Sequence, residues 1–387
     1  MTMSTSRARL ESIDVVRGVI MIVMALDHTR DFFGIPGQNP TNLATTTVAL
    51  FLTRWITHFC APVFFLLTGT GAYLSLRKRT VPELSRYLWR RGVWLIVLEF
   101  TVVRCLAYQF NFDYRVTMLL VLWALGWSMI VLAALVRLPV AWVATIGGVM
   151  VATHNLLDGM KLPPMLALLQ TPGFVVTSPT FTVFSAYPLI PWVGVTALGF
   201  ALGHIYGWEP ERRRAFLLRL GLGLCGAFVA LRLLNVYGDP LPWTTQARRA
   251  MTLVSFLNTN KYPPSLLFLL MTLGPTMLFL RAVDERTPSW LQPARIIGKV
   301  PLFYYVLHFA LIHLIAVVVA YVQHGTAHWM FESPDPGHYP FTAPPAWGFS
   351  LSRVYLVWFV VVVAMYPLCR WYARVKQRRN DAWLSYL

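Results

Sequence analysis

The chain has 387 residues, 57% of them hydrophobic and only 13% charged, with a formal net charge of +17. A water-soluble domain has no use for so many apolar runs of about twenty residues, so a soluble fold is excluded. The positive charge falls in short clusters between those runs. That is the pattern of cytoplasmic membrane loops rather than of a nucleic-acid surface.

These runs predict an all-α, polytopic membrane protein forming one domain over 1–387. About ten spans (nine to eleven) are expected, near 13–33, 48–76, 92–110, 116–136, 138–155, 182–206, 215–236, 262–282, 299–322 and 349–372. With the N-terminus cytoplasmic, 23 of the 33 Lys and Arg fall on the inner side, which sets the orientation. Arg7 and Arg9 precede the first span and no small-residue cleavage site follows it, so that span reads as a retained anchor.

The first span, DVVRGVIMIVMALDHTRDFF (14–33), carries Asp14, Arg17, Asp27, His28, Arg30 and Asp31. Charge within a membrane helix is costly, so these groups are candidates for function. Arg17 and His28 are eleven residues apart, which returns to within about 20° of one helix face with a rise of roughly 16 Å. Asp14, Met21, Met24 and Phe32 share that stripe. A cation near one membrane surface and an imidazole near the other suit a long substrate with an anionic head, held in one passage enclosed by protein. Asp31, one turn beyond His28, is placed to hydrogen-bond the imidazole and set its tautomer, whereas Asp27 lies about 100° away. The bland alternative is a histidine capping the end of a helix among interfacial charges.

His58 lies in the second span, where Pro62 should loosen the helix about a turn before it. The run Thr68, Gly69, Thr70, Gly71 suits close helix packing more than a ligand. Glu99 and Arg104 in the third span do not share a face, so each is expected to pair with another helix. The Gly- and Ala-rich runs near 194–203 and 221–227 suit packing against a second copy of the chain in a homodimer.

Between the seventh and eighth spans, Asp239, Trp243, Asn258, Lys261 and Tyr262 are types that bind sugars or anions, held by Pro and Gly turns. They equally suit an interfacial belt with Lys261 snorkelling. In the ninth span Tyr304 and His308 share a face, while His313 lies about 140° from His308, poor geometry for a metal site. The four cysteines have neither zinc-ligand nor disulfide-scaffold spacing and read as free thiols. The loop 323–348 has no Lys or Arg but several His and Pro, and with the loop 34–47 it could roof a pocket.

The segments RLESIDVVRGVIMIVMALDHTRDFF, WITHFCAPVFFLLTGTGAYLSL, YPLIPWVGVTALGFALG, YGDPLPW, SFLNTNKYPPSLLFLLMTLGP and VPLFYYVLHFALIHL resemble bacterial proteins of the heparan-α-glucosaminide N-acetyltransferase-like family, over nearly the whole chain from residue 9. The spacing Arg17-x10-His28 also looks like the arginine–histidine motif of transmembrane acyltransferases that O-acylate surface polysaccharides. The resemblance implies transfer of acetyl from cytoplasmic acetyl-CoA (acyl-CoA), as co-substrate and without a metal, to a sugar or glycan on the exoplasmic side of a bacterial inner membrane.

On that reading the catalytic candidates are His28, Asp31 and His58. Arg17, Asp14, Tyr304 and His308 bind the donor, and Asp27, Asp239, Trp243, Asn258 and Lys261 the acceptor. In the eukaryotic glucosaminide enzyme the proposed catalytic histidine lies in the loop after the first helix, and an asparagine stands at the position of His28. Here that loop, GIPGQNPTNLATTT, has no histidine. Either His28 takes the role or His58 reaches in. The rival classes are an exporter of a small amphiphilic or sugar-like solute and an assembly protein without turnover.

Overall fold

The computed structural model describes residues 5–160, 162–285, 287–335, 338–379 and 381; the two ends of the expected 1–387 domain lie outside them. The described chain is mostly helical, and a helix stands in each of the ten expected stretches. They are α1 (Thr5–Phe33), α2 and α3 (Val48–Thr57, Cys60–Leu74), α4 (Val81–Leu98), α5 (Val121–Leu135), α6 (Val140–Thr153), α8 (Leu189–Gly203), α9 (Pro210–Leu234), α11 (Leu266–Ala282), α13 (Pro301–His324) and α14 (Leu351–Arg378). Short helices α7 (Pro164–Gln170), α10 (Arg249–Leu257) and α12 (Gln292–Gly298) lie between them. By length and composition, six segments are long and apolar enough to cross a membrane: Val48–Arg77, Val140–Leu157, Leu189–Gly207, Pro210–Leu234, Pro301–His324 and Leu351–Arg378. α5 and α11 are apolar but shorter.

Two expected spans begin differently. Residues 116–119 and 182–185 are strands β1 (Val116–Leu119) and β3 (Thr182–Ser185), which with β2 (Gly173–Thr177) form a sheet in the order β1-β3-β2. A short apolar run suits a strand as well as a helix, so hydropathy alone extends these spans too far. α4 continues as a π-helical stretch over Glu99–Tyr108.

The contacts divide the chain into two compact units. Unit 1 comprises Met1–Ile13, Ala61–Val97 and Thr117–Thr287. Its helices pack through small residues: a Cβ on Gly69 would collide with the Thr196 carbonyl, and one on Gly199 with that of Leu66, so α3 and α8 touch backbone to backbone. The 68–71 run thus serves packing, as expected. Gly194 meets α6 and Gly203 meets Tyr73, so the 194–203 run is used inside this unit rather than left for a second copy; Gly223 and Gly226 do face open space. Trp192 is fully buried and stacks on Phe65 at 4.6 Å. The buried pair Arg213–Asp284 (2.7 Å) ties the start of α9 to the end of α11.

Unit 2 comprises Asp14–Cys60, Leu98–Val116 and Pro288–Leu387, and α1 is its axis. The Cys60 thiol donates to the Ile20 carbonyl, the Trp358 indole of α14 to that of Ile22, and Gly18 packs on the Ala294 carbonyl of α12. The second span breaks at His58–Phe59, between α2 and α3, as the position of Pro62 predicts. Pro62 falls in the first turn of α3, where its missing N–H removes no intrahelical bond. The four cysteines are free; Cys60, Cys105 and Cys369 are buried and Cys225 half-buried.

Candidate active site in unit 2

The C-terminal third of α1 holds Asp27, His28, Arg30 and Asp31. Residues 27 to 31 turn through rather more than one helical turn, so their polar side chains spread toward several neighbouring segments. Arg54 of α2 donates to both oxygens of Asp27, at 2.6 and 2.5 Å. Arg30 reaches Asp27 at 2.8 Å and Asp31 at 2.7 Å. Two carboxylates and two guanidiniums therefore balance in one mostly buried cluster, which lowers the cost of keeping charge inside an apolar helix bundle. Sequence reasoning gave Arg54 no role. The available signal was an arginine within an otherwise apolar span.

His28 stands beside this cluster, its side chain 15% exposed. Its Nδ1 lies 3.9 Å from Asp31 Oδ2, within reach of charge attraction but longer than a hydrogen bond. The expected orienting bond is thus not closed in this conformation. On its other side the ring meets α13: the centroid of Phe309 is 3.9 Å away and that of His308 5.3 Å. Tyr304 and His308 do share a face, stacked at 5.1 Å with planes 17° apart, and both are fully buried. His313, a turn and a half further on, stacks on Phe110 at 3.8 Å and approaches the Met330 carbonyl at 2.9 Å through Nε2. Among the described residues no group of three or more His, Cys, Asp and Glu could hold a metal ion.

Beyond His28, Arg30 and Asp31 edge a cleft of about 160 Å³. The loop after α1 (Gly34–Gln38, Pro40) and the loop before α14 (Tyr339–Phe341, Ala343, Trp347) close its sides, so both expected loops do line one pocket. The Trp347 indole donates to the Phe32 carbonyl at 3.0 Å, and Phe349 N–H to that of Phe33 at 2.8 Å, which fastens the second loop to the end of α1. Arg104 corrects the sequence reading. It pairs with the start of β1 and with loops rather than with a helix, donating to the carbonyls of Val116 (2.9 Å) and Asp113 and to Ser333 Oγ (3.2 Å). The π-helical winding changes which way residue 104 points, an effect α-helical spacing does not anticipate.

At the other end of the stripe, Arg17 donates to Asp14 Oδ1 and to the Gly298 carbonyl, each at 3.3 Å. The close approach of Gly18 to α12 makes the second bond reachable. Met21 and Met24, between Arg17 and His28 on the same face, are buried. His58 is fully buried at the α2–α3 break, its backbone N–H donating to the Trp55 carbonyl.

The remaining candidates belong to unit 1. Asp239 is buried and holds its own loop: its carboxylate accepts from Leu241 N–H (2.9 Å), Asn260 N–H (2.8 Å) and Ser265 Oγ (2.6 Å), with Arg232 at 3.7 Å. Burial raises this carboxyl above the usual range, while those three hydrogen bonds and the Arg232 charge pull it back. Arg232 in turn donates to the carbonyls of Leu241, Ser255, Phe256 and Asn258, so the Asn258 backbone is part of the same frame. Trp243 is clamped by Asn235, which exchanges two backbone–side-chain bonds with it. Lys261 is buried, its ammonium 5.3 Å from the Tyr262 ring centre, rather than snorkelling into solvent.

A family description of the catalytic region of heparan-alpha-glucosaminide N-acetyltransferase matches residues 9–229. The chain belongs to this family. No curated protein matches it. The matched stretch takes in Asp14, Arg17, Asp27, His28, Asp31 and His58, while Asp239, Trp243, Asn258, Lys261, Tyr304 and His308 lie beyond it. Family membership and the six long apolar helices together make this an integral membrane protein.

Proposed function

We propose that the protein is a membrane acyltransferase that moves an acetyl group, or a longer acyl group, from cytoplasmic acyl-CoA to a hydroxyl or amine of an exoplasmic sugar or glycan. On this reading residues 1–387 form one catalytic domain of about ten spans in a bacterial inner membrane, with the N-terminus cytoplasmic. The supporting observation is the position of His28, between the Arg30–Asp31 edge of a cleft and the buried face of α13.

His28 is the reacting imidazole. It takes the proton of the acceptor hydroxyl or amine as that group attacks the thioester, or it carries the acetyl briefly itself. Asp31 orients it once the 3.9 Å gap closes on binding. Asp27, gripped by Arg54 and Arg30, fixes the shape of the cleft where the acceptor enters. Arg17, with Asp14, meets the anionic part of the donor, and Tyr304 and His308 line the buried end of its route. Met21 and Met24 lie along that route; their unbranched thioether chains rearrange readily to admit a pantetheine arm. His58, at the helix break, is the reserve candidate for the reacting histidine. Asp239 acts through the loop it holds, which leaves Trp243, Asn258 and Lys261 as acceptor contacts of unit 1's own.

Reconstitution in liposomes tests this reading against an exporter. Labelled acetyl-CoA supplied to the cytoplasmic face should acetylate an amino sugar enclosed on the other side while CoA stays out. Passage of the unmodified sugar without acetylation would establish transport instead.

A further inference from the structure

His308 is bound in one particular way. Its Nδ1 lies 2.9 Å from the carbonyl oxygen of Tyr304, one turn back on α13. A carbonyl only accepts hydrogen bonds, so Nδ1 must carry the hydrogen, and in the neutral ring Nε2 is left with a bare lone pair. That Nε2 is buried and has no hydrogen-bond partner among the described residues, although the whole residue is 0% exposed. A buried polar atom without a partner is costly, so its persistence calls for an explanation. His28 lies 5.3 Å away, centroid to centroid, and Phe309 packs against both imidazoles at 3.9 and 4.9 Å, which keeps the space beside them apolar. The titratable groups therefore run in order: Asp31 at the cleft edge, His28 with its side chain 15% exposed, then His308 fully enclosed.

We propose that His308 is a second catalytic imidazole, whose Nε2 carries the proton from His28 to the departing sulfur of the donor. The proposal rests on the acyl-transfer reading above and completes its proton balance. The acceptor oxygen or nitrogen forms its bond to the acetyl carbon as the carbon–sulfur bond breaks, and the electron pair of that bond leaves on the CoA thiolate. The acceptor's proton goes to His28, from His28 to His308 Nε2, and from there to the thiolate, giving CoA thiol. Both imidazoles end neutral, and no other reactant is needed. Tyr304 is the positioning residue: its carbonyl holds the Nδ1 hydrogen and so keeps Nε2 free. The titratable rings of Tyr304 and Tyr305, on the same helix, lie 5.1 and 5.9 Å from that of His308, and Tyr108 of the π-helical stretch packs on Phe309.

The test is magic-angle-spinning NMR of the full-length protein in lipid, with 15N-labelled histidine and the His308 signals assigned through its bond to Phe309. The expected spectrum has Nδ1 protonated and Nε2 bare. Adding CoA should then move the Nε2 resonance, as the thiol donates to it, and leave Nδ1 bound to Tyr304. In parallel, His308→Gln keeps a polar group at the Nε2 position that cannot carry a proton. It should lower kcat by about 10²-fold with KM little changed. A protonated Nε2 overturns the proposal, as does an Nε2 signal unmoved while calorimetry shows CoA bound, or a fully active His308→Gln. If CoA fails to bind at all, the acyl-transfer reading falls and takes this step with it, an outcome distinct from the others.

Discussion

Arg54 and Asp27 meet through both carboxylate oxygens, joining α2 to α1 one residue before His28. The side chains are only 13% and 10% exposed, and Arg30 shares the same carboxylate. Removing one partner of a buried pair leaves a charge without compensation. Arg54→Ala should therefore cost about 2 kcal/mol of stability, below the roughly 3–5 kcal/mol of an isolated buried pair because Arg30 remains. Adding Asp27→Asn to that variant should recover part of the loss. Thermal unfolding of the single and double variants in detergent checks both.

Gly18 and Gly298 approach so closely that a Cβ on either would overlap the facing backbone, Ala294 in one case and Asp14 in the other. Gly298→Ala should push α12 away from α1, destabilise the protein by about 1–3 kcal/mol and withdraw the Gly298 carbonyl from Arg17. If Arg17 serves the donor, CoA affinity should fall along with stability. Calorimetric titration with CoA reads the first effect, and thermal unfolding the second.

Much of this architecture is legible in the sequence, for physical reasons. The ten helical stretches follow from apolar runs that must close their backbone hydrogen bonds within themselves. The break at His58 follows from Pro62, and the shared face of Tyr304 and His308 from helical spacing alone. What the sequence does not reveal depends on tertiary partners. Asp27 shows its charge in the sequence but not its attachment to Arg54, and Asp239 shows its type but not its bonds to Leu241, Asn260 and Ser265. The π-helical winding that turns Arg104 toward Val116 and Ser333, and the strands that replace the starts of two spans, leave no periodic signature.

Asp239→Ala should loosen the 235–265 loop. The change removes the acceptor of three hydrogen bonds and a carboxylate 3.7 Å from buried Arg232. A loss of about 2–4 kcal/mol is expected, with faster proteolysis between Asn235 and Ser265. The pH dependence has a definite sign. Burial raises the folded carboxyl above its unfolded value, so its contribution is complete below the unfolded value and is lost as pH rises through the folded one. Mild acidification should therefore not weaken the wild-type loop through this residue. Proteolysis rates of wild type and variant across pH provide the check.

The most direct measurement compares acetyl transfer by wild type and His28→Ala, reconstituted at equal amounts, with labelled acetyl-CoA and an amino sugar. The variant should still insert, since the neighbouring Asp31 keeps Arg30, and should lose only the packing of the imidazole on Phe309. Its transfer rate should fall by about 10²-fold or more. A His28→Ala protein that transfers acetyl at the wild-type rate would contradict the account.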